Sequence, residues 1–382
     1  MLFRSNDTAT TEIYTNPAKY EPIPPDKLKV FQAARGQQVF SFWNREAELT
    51  YTFSPKPGVV YIPTLMFLVD DGKKLPALPD AGVPFGLSLH GKSITNGTLK
   101  DVAKLPNLTA LSLIGTSVND DGLKELAGHK KLKYFMVYDT KVADAGLKHL
   151  AACPQLEGLD LYQCPITDAG LEQLAGSQEL RYLRLMFSKE ITARSLPALA
   201  GLKNLTHLNV GFCLGLGNDF APLAKMGKLT HLNLKGTFTG DAAVKSLKGL
   251  NSFTDLTLSG PGVTDDIFTI CQEFPNLSRL DISGAAVTDA GLKKAKNLPK
   301  LTALGLEATK VTDAGMTELK NLPGLTRLDL ASLPITDKGL AELAQIKSLQ
   351  EIQLANTKVT KAGCEQFRKA LPKCEVFGAP QN

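Results

Sequence analysis

The sequence lacks the features that mark several simple functional classes. It has one tryptophan and five histidines in 382 residues, and its six cysteines show no CxxC or CxxH spacing. Both a disulfide framework and a zinc site need cysteines at defined spacings, so the scatter argues against either. We therefore expect reduced, mostly buried cysteines and no metal or other cofactor.

Long apolar runs and charge of one sign are also missing. The longest apolar run, from Val59 to Val69, contains Pro63 and is far shorter than the ~18 residues of a membrane-spanning helix. The formal net charge of +5 results from 43 basic and 38 acidic side chains. An excess this small does not by itself argue for nucleic acid or an anionic membrane as partner. The composition thus predicts neither a membrane span nor a nucleic-acid partner.

The N-terminal residues have no hydrophobic periodicity and read as neither a signal peptide nor a helix. Residues 2–15, LFRSNDTATTEIYT, match an in-frame translation of a common sequencing adapter. We therefore expect residues 1–15 to be a non-native leader, with the true start missing or farther downstream. On that hypothesis the sequence does not report the compartment, and the cytoplasm and the cell envelope both stay open.

What the sequence does contain is an internal repeat. Its opening apolar residue recurs every 24 residues, with one step of 25, at Leu108, Leu132, Leu156, Leu180, Leu205, Leu229, Phe253, Leu277, Leu301, Leu325 and Leu349. Each opens a version of the phrase L-x-x-L-x-L-x-x-T-x-V-T-D-A-G-L-x-x-L-x-x-L-P-x. A unit this short cannot bury its leucines alone, so stacked copies must share one core.

The phrase predicts one strand and one helix in each repeat. In L-x-x-L-x-L the last two leucines alternate with polar or small residues, as in a strand with one buried face. The Thr-Asp pair supplies oxygen atoms for the first N–H groups of the helix, and Leu-Pro ends that helix. About twelve such units predict an α/β fold, a right-handed β/α solenoid with a parallel concave sheet and convex helices.

The V/I-T-D-x-G-L phrase resembles the leucine-rich-repeat family. Small residues at the turn, among them Cys164 and Cys213, resemble the cysteine-containing subtype of F-box proteins and their bacterial relatives. The resemblance covers Phe85 to about Cys374 and implies a ribonuclease-inhibitor-like horseshoe that binds another protein and is not an enzyme. The repeat departs from the subtype in its length of 24 residues and in keeping cysteine at the turn of only two repeats.

The remaining segments predict caps and connections. Residues 16–35 read as a Pro-rich lead, residues 36–84 as a small β-rich N-terminal cap, residues 85–377 as the repeat domain and residues 378–382 as a tail. A cap is expected because the first repeat of a solenoid otherwise leaves its core open. We expect the chain to be a monomer.

One motif points to a different function. Residues 86–93 satisfy G-x-x-x-x-G-K-[ST], the pattern of a phosphate-binding loop. A shift of one repeat aligns Leu87 and Leu89 with Leu111 and Leu113, which places the segment in the first strand of the repeat domain. We therefore expect a strand at this position and no nucleotide binding.

The candidate binding residues alternate with the buried leucines of each strand and therefore face the other side of the sheet. Repeats three to five place tyrosine, methionine and arginine there, the residue types enriched where partners bury surface. The predicted contact patch comprises Tyr134, Met136, Tyr138, Tyr162, Tyr182, Arg184 and Met186, with His207 and His231 on the next strands. Cross-strand pairing of the aromatic residues is the alternative explanation.

A metal site or an acid–base pair is a further interpretation of His207, His231 and Asp255, which fall on adjacent strands. By register, no serine, cysteine or further carboxylate converges on them, so we expect a polar stretch of the concave face and no catalytic residue. Beside a protein-binding scaffold, the sequence leaves open a substrate receptor in protein turnover, a cell-envelope or secreted adhesin, and an enzyme whose catalytic domain is missing.

Overall fold

A computed structural model describes residues 65–69 and 85–380 of the chain. In this part, fourteen parallel strands form one open sheet in which each strand pairs with its neighbours in sequence. The strands are β1 (Leu65–Val69), β2 (Phe85–His90), β3 (Leu108–Ile114), β4 (Tyr134–Tyr138), β5 (Gly158–Tyr162), β6 (Tyr182–Arg184), β7 (His207–Asn209), β8 (His231–Asn233), β9 (Asp255–Thr257), β10 (Arg279–Asp281), β11 (Ala303–Gly305), β12 (Arg327–Asp329), β13 (Glu351–Gln353) and β14 (Glu375–Phe377). The predicted β/α solenoid with a parallel sheet is confirmed.

Each strand from β2 to β13 is followed by a short helical segment that leads to the next strand. The α-helices are α1 (Asn96–Val102), α2 (Asp120–Leu123), α3 (Asp144–Ala151), α4 (Asp168–Glu172), α5 (Leu196–Gly201), α6 (Asp241–Ser246), α7 (Ile267–Ile270), α8 (Asp289–Leu292), α9 (Asp313–Met316), α10 (Asp337–Leu343) and α11 (Lys361–Ala370). The 3-10 helices are Lys124–Leu126, Gln173–Gly176, Ala193–Ser195, Ala221–Lys225, Cys271–Glu273, Ala295–Asn297 and Thr317–Asn321. Many repeats thus combine a short α-helix with a turn of 3-10 helix, because the strand and its two loops take up most of the 24 residues.

The beginning of the sheet bears on two of the sequence expectations. β2 occupies the first residues of the phosphate-loop motif, so the predicted strand there is confirmed. β1 falls in the segment predicted as a cap and pairs in parallel with β2. The predicted leader, the Pro-rich lead and the rest of the cap segment lie outside the described residues. Among the helices of the described part, none is long and apolar enough to cross a membrane.

The repeated leucines form one continuous core between sheet and helices, running from Phe85 to Cys374. Its largest fully buried side chains are phenylalanines, such as Phe135 and Phe253. Because each repeat buries its apolar face only against its neighbours, stacking supplies the stability that one unit lacks.

A ladder of hydrogen bonds, which the sequence did not predict, joins the helix N-termini of successive repeats. Thr336 caps its own helix by accepting from the Lys338 N–H, as expected of the phrase. Asp313 of the preceding repeat accepts from the Thr336 N–H at 2.8 Å and from its hydroxyl at 2.6 Å. The same two bonds recur in the pairs Asp144–Thr167, Asp168–Thr192, Asp241–Thr264, Asp265–Thr288, Asp289–Thr312 and Asp337–Thr360.

The glycine of the phrase makes room for this aspartate–threonine ladder. A Cβ atom placed on Gly315 would lie 2.5 Å from Oδ1 of Asp289, and one on Gly291 would lie equally close to Oδ1 of Asp265. The ladder is interrupted in the middle of the solenoid: Ala193 holds the aspartate position of the fifth repeat and offers no side-chain acceptor, and Asn218 of the sixth accepts a single bond, from the Gly240 N–H. The Thr-Asp-x-Gly sequence therefore starts the helix and also makes contacts between neighbouring repeats.

All six cysteines are buried free thiols, as predicted. Burial raises the pKa of the Cys164 thiol to about 12 and those of Cys213 and Cys374 to about 11. Cys164 and Cys213 lie at the turn after their strands, and the Cys213 thiol donates to the carbonyl of Leu185, 2.8 Å away. The cysteines therefore serve packing and do not form disulfides.

We expect the native thiols to react with Ellman's reagent at pH 8 at least ~100-fold more slowly than free cysteine, because only the thiolate attacks and burial both blocks it and raises its pKa. In denaturant all six should react together at the rate of a free thiol. The measurement is the release of the coloured thiolate over time. One fast-reacting thiol in the folded protein would contradict the described burial.

Candidate functional site

The face of the sheet away from the helices carries side chains in rows, because parallel strands in register place equivalent positions of successive repeats side by side. With β2 as the strand of repeat one, three such rows lie between repeats three and eight. We call the row nearest the strand starts the histidine row: Tyr182, His207, His231 and Asp255. The middle row is Met136, Asp160, Arg184 and Asn209. The aromatic row, at the strand ends, combines two adjacent positions: Tyr138 and Tyr162 end their strands, and Phe187 and Phe212 lie one position later in the next two repeats.

The aromatic row is a continuous series of ring contacts across four repeats. Ring centroids are 4.6 Å apart between Tyr138 and Tyr162 and 5.1 Å between Tyr162 and Phe187. Phe187 and Phe212 stack at 4.4 Å with planes 4° apart. Tyr138 is 39% exposed, which makes it one of the few exposed large apolar residues in the described part. Pairs of this kind contribute about 0.5–1.5 kcal/mol each beyond the area they bury.

The two phenylalanines of this row sit in left-handed backbone. The turn after each strand takes a positive φ at one fixed position, which glycine fills in several repeats, such as Gly236 and Gly260. Phe187 and Phe212 hold φ angles of 60° and 61° at that position. A bulky side chain in this region costs on the order of 1–3 kcal/mol. The fold therefore keeps aromatic rings where glycine or asparagine would be less strained.

Arg184 connects the middle row to the aromatic row. Its Nη1 donates to Oδ2 of Asp160 at 2.8 Å, and its Cζ lies 5.3 Å from the ring centroid of Tyr162. Nε of Arg184 lies 3.1 Å from Sδ of Met186. The Asp160 side chain is 1% exposed and that of Arg184 15%. The arginine is thus part of a largely buried ion pair that also supports an aromatic ring.

The histidine row is a stack that ends on a carboxylate. The rings of His207 and His231 are parallel to within 18° with centroids 3.7 Å apart, and Tyr182 meets His207 edge-on at 5.1 Å. Nε2 of His231 lies 3.2 Å from Oδ2 of Asp255. Stacked imidazoles direct their nitrogen lone pairs side by side, away from a common point, so this arrangement does not chelate. In the described residues, no three His, Cys, Asp or Glu side chains are grouped to hold a metal ion.

One predicted contact residue is not available at the surface. Tyr134 was expected to be exposed, but it is 5% exposed, and its hydroxyl donates to Oε2 of Glu157 at 2.9 Å. Its ring lies against Gly158 of the next strand, where an added Cβ would come within 2.6 Å of the Tyr134 Cδ1 atom. Because glycine leaves that space, the tyrosine ring packs onto the sheet. The other eight predicted residues lie on or beside the three rows, partly or well exposed.

Phe187 and Phe212 were not predicted, because they follow the strands and lie outside the positions that alternate within a strand. A signal for them exists in the column seven residues after each opening leucine. That column holds glycine, aspartate, asparagine, serine, alanine or glutamine in the other repeats, residues that are small or suit a tight turn. Two phenylalanines in adjacent repeats are the exceptions, and they form one half of the aromatic row.

Comparisons with known proteins find a leucine-rich-repeat family model and several similar solved structures. Residues 275–294 match the family model described as Leucine Rich repeat. A search of curated protein sequences gives no significant match. The structure is similar to an internalin from Listeria monocytogenes, with 21% identity, a TM-score of 0.47, and coverage of 76% of this chain and 89% of the internalin.

Two further solved structures are similar over comparable lengths. A leucine-rich-repeat protein of Leptospira interrogans is 18% identical with a TM-score of 0.44, over 80% of this chain and 92% of its own. The plant peptide hormone receptor RGFR1 in complex with RGF2 is 18% identical with a TM-score of 0.42, over 77% of this chain and 49% of its own. The register and the repeat themselves establish the architecture: the chain is an open solenoid with the leucine-rich-repeat fold.

Proposed function

We propose that this chain is a non-catalytic, monomeric protein-binding scaffold whose partner contacts the aromatic row on the concave face. The observation that carries the proposal is the pair Phe187 and Phe212, which are held in left-handed backbone and continue the ring contacts of Tyr138 and Tyr162. Strained backbone residues are concentrated at functional sites, so the strained backbone of these two phenylalanines favours a role in binding.

The surroundings of the aromatic row suit a protein partner. Met136 and Met186 are half-buried beside it, and methionine side chains are enriched at the centres of protein interfaces. Tyr182, His207 and His231 lie at the strand starts of the same face and offer further contacts, with His231 one strand beyond the aromatic row. Arg184 stays in the proposed site as the support of Tyr162 and is partly available to a partner.

The test is a variant that removes rings without unfolding the protein: Tyr138→Ala, Tyr162→Ala, Phe187→Asn and Phe212→Asn. Asparagine tolerates left-handed backbone, so relief of strain should offset lost ring contacts and keep unfolding free energy within about 1 kcal/mol of wild type. We expect recovery of specific partners from an extract of the source cells, measured by quantitative mass spectrometry, to fall at least tenfold, since interface centres carry most binding energy.

The matched control changes four exposed residues on the helix side, Lys148→Ala, Glu172→Ala, Lys245→Ala and Glu365→Ala. This control should retain every partner. If the ring variant is folded and recovers its partners as well as the wild type does, the aromatic row is not the contact surface.

The same experiment separates two narrower functions. The buried cysteines at the turn, Cys164 and Cys213, favour the cysteine-containing subtype and with it a substrate receptor in protein turnover. Recovery of ubiquitin-ligase or protease components would support that function. Recovery of envelope or host surface proteins would instead support a cell-envelope or secreted adhesin.

A further inference from the structure

The small net charge of the chain conceals a separation of charge between the two lateral edges of the solenoid. One edge is formed by the seven-residue segments that lead into each strand. We call it the basic edge, and it comprises residues 103–109, 127–133, 151–157, 175–181, 200–206, 224–230, 248–254, 272–278, 296–302, 320–326, 344–350 and 369–375. It carries fourteen lysines and one arginine against four glutamates.

The opposite edge has the reverse balance. It is formed by the loops from each strand to the following helix, residues 91–96, 115–121, 139–144, 163–168, 187–193, 210–221, 234–241, 258–267, 282–289, 306–313, 330–337 and 354–361. These loops carry fourteen carboxylates and seven lysines. Several of these carboxylates are the aspartates of the ladder. The negative charge of this edge therefore follows from the repeat sequence.

The lysines of the basic edge are presented to solvent in two groups, in residues 103–133 and 200–375, separated by two segments that hold Glu157, Glu179 and Arg181. Thirteen of the fourteen are exposed, and Lys133 is half-buried. Lys131, Lys228 and Lys300 each donate to an asparagine side chain one repeat earlier, which spaces them along the edge. Ion pairs engage a minority of the edge lysines, such as Lys104 with Asp101 and Lys248 with Glu273.

We propose that the basic edge binds the surface of an anionic lipid bilayer. Because the repeats stack in register, the segments of this edge follow one another along one side of the solenoid, so many of its lysines can contact one charged surface together. Each lysine close to an anionic leaflet strengthens partitioning by a factor of about five. Many weak contacts along one edge therefore give useful binding where the net charge of +5 alone would not.

The side-chain chemistry favours a lipid surface over nucleic acid. Lysine is a flexible point charge, whereas specific phosphate recognition uses the bidentate geometry of arginine, and the basic edge has one arginine. Single-stranded nucleic acids also need aromatic side chains for base stacking. The exposed large apolar residues of the described part, Tyr138, Leu214 and Phe238, all lie toward the opposite edge.

Binding by this edge is compatible with a partner on the concave face. The basic edge lies at the starts of the strands and the aromatic row at their ends. A chain held to a bilayer by its basic edge would thus present the aromatic row away from the lipid. The proposal does not depend on what binds the aromatic row.

The test is co-sedimentation of the full chain with vesicles of phosphatidylcholine alone or mixed with phosphatidylserine. We expect binding only to the mixed vesicles, and its loss at high salt, where the Debye length falls to about 3 Å. The variant replaces six exposed edge lysines by glutamine: Lys130, Lys131, Lys225, Lys228, Lys296 and Lys300. It should lower the partition coefficient at least ~100-fold.

The control makes the same change in charge on the opposite edge, with glutamine at Lys92, Lys141, Lys189, Lys310, Lys358 and Lys361. It should alter partitioning by less than about threefold, because those lysines would lie far beyond a Debye length from the lipid. Circular dichroism checks that both variants are folded. Equal losses in the two variants, equal binding to neutral vesicles, or displacement from vesicles by duplex DNA at lower charge concentration would each overturn the proposal.

Discussion

Replacing Arg184 with alanine is expected to lower the free energy of unfolding by about 3–5 kcal/mol. The Asp160 carboxylate is 1% exposed and lies 2.8 Å from the arginine, so the variant removes the cation from beside a poorly solvated carboxylate. Loss of one partner from such a pair costs more than loss of both. The measurement is urea unfolding followed by far-UV circular dichroism.

The double variant Asp160→Ala with Arg184→Ala is the control, and it should recover at least half of the loss, because the buried charge is then gone. A single variant as stable as the double variant would mean that Asp160 has enough other stabilising contacts. If the single variant is destabilised as expected, a change at Arg184 combines a folding defect with any binding defect, so the ring variant keeps this arginine.

The second large effect is expected at the aspartate–threonine ladder. Asp313→Ala should destabilise the fold by about 2–3 kcal/mol, because it removes the acceptor of both the Thr336 N–H and the Thr336 hydroxyl. Thermal and urea unfolding measure the change. Because repeats are coupled to their neighbours, the loss should also reduce the sharpness of the transition.

Asp313→Asn is the graded control and should cost less than about 1 kcal/mol. The chain contains a precedent in its first repeats, where Asn96 accepts from the Asn119 N–H at 3.1 Å and donates to the Asn119 side chain at 2.7 Å. An asparagine therefore fits the ladder position. Equal losses for alanine and asparagine would show that the negative charge, and not the hydrogen bonds, is what the ladder needs.

Much of the fold could be predicted from the sequence, because the same pattern of strand and helix residues recurs in successive repeats. Leucine alternation gave the strands, and the one-repeat shift correctly turned the phosphate-loop motif into β2. The ladder was not predicted, since its bonds join residues 23 or 24 positions apart in different repeats. A sequence pattern within one repeat does not show the hydrogen bonds that this repeat makes to the next repeat.

The candidate site was predicted less completely. Register placed the tyrosines and histidines on neighbouring strands, which the strand pairing confirms. Exposure was wrong for Tyr134, because burial there depends on the missing side chain of Gly158 in the adjacent strand. Phe187 and Phe212 were missed because a left-handed turn is a backbone property, and aromatic residues at such a position are the exception.

The ladder is weakest in the middle of the solenoid, and the aromatic row crosses that region. Between the fifth and sixth repeats, Ala193 replaces the aspartate, and the backbone bond from its N–H to the Gly215 carbonyl remains. The sheet and the core continue through this junction, and the rings of Phe187 and Phe212 stack across it. A ligand that contacts both rings would therefore also bridge two repeats that the ladder does not join.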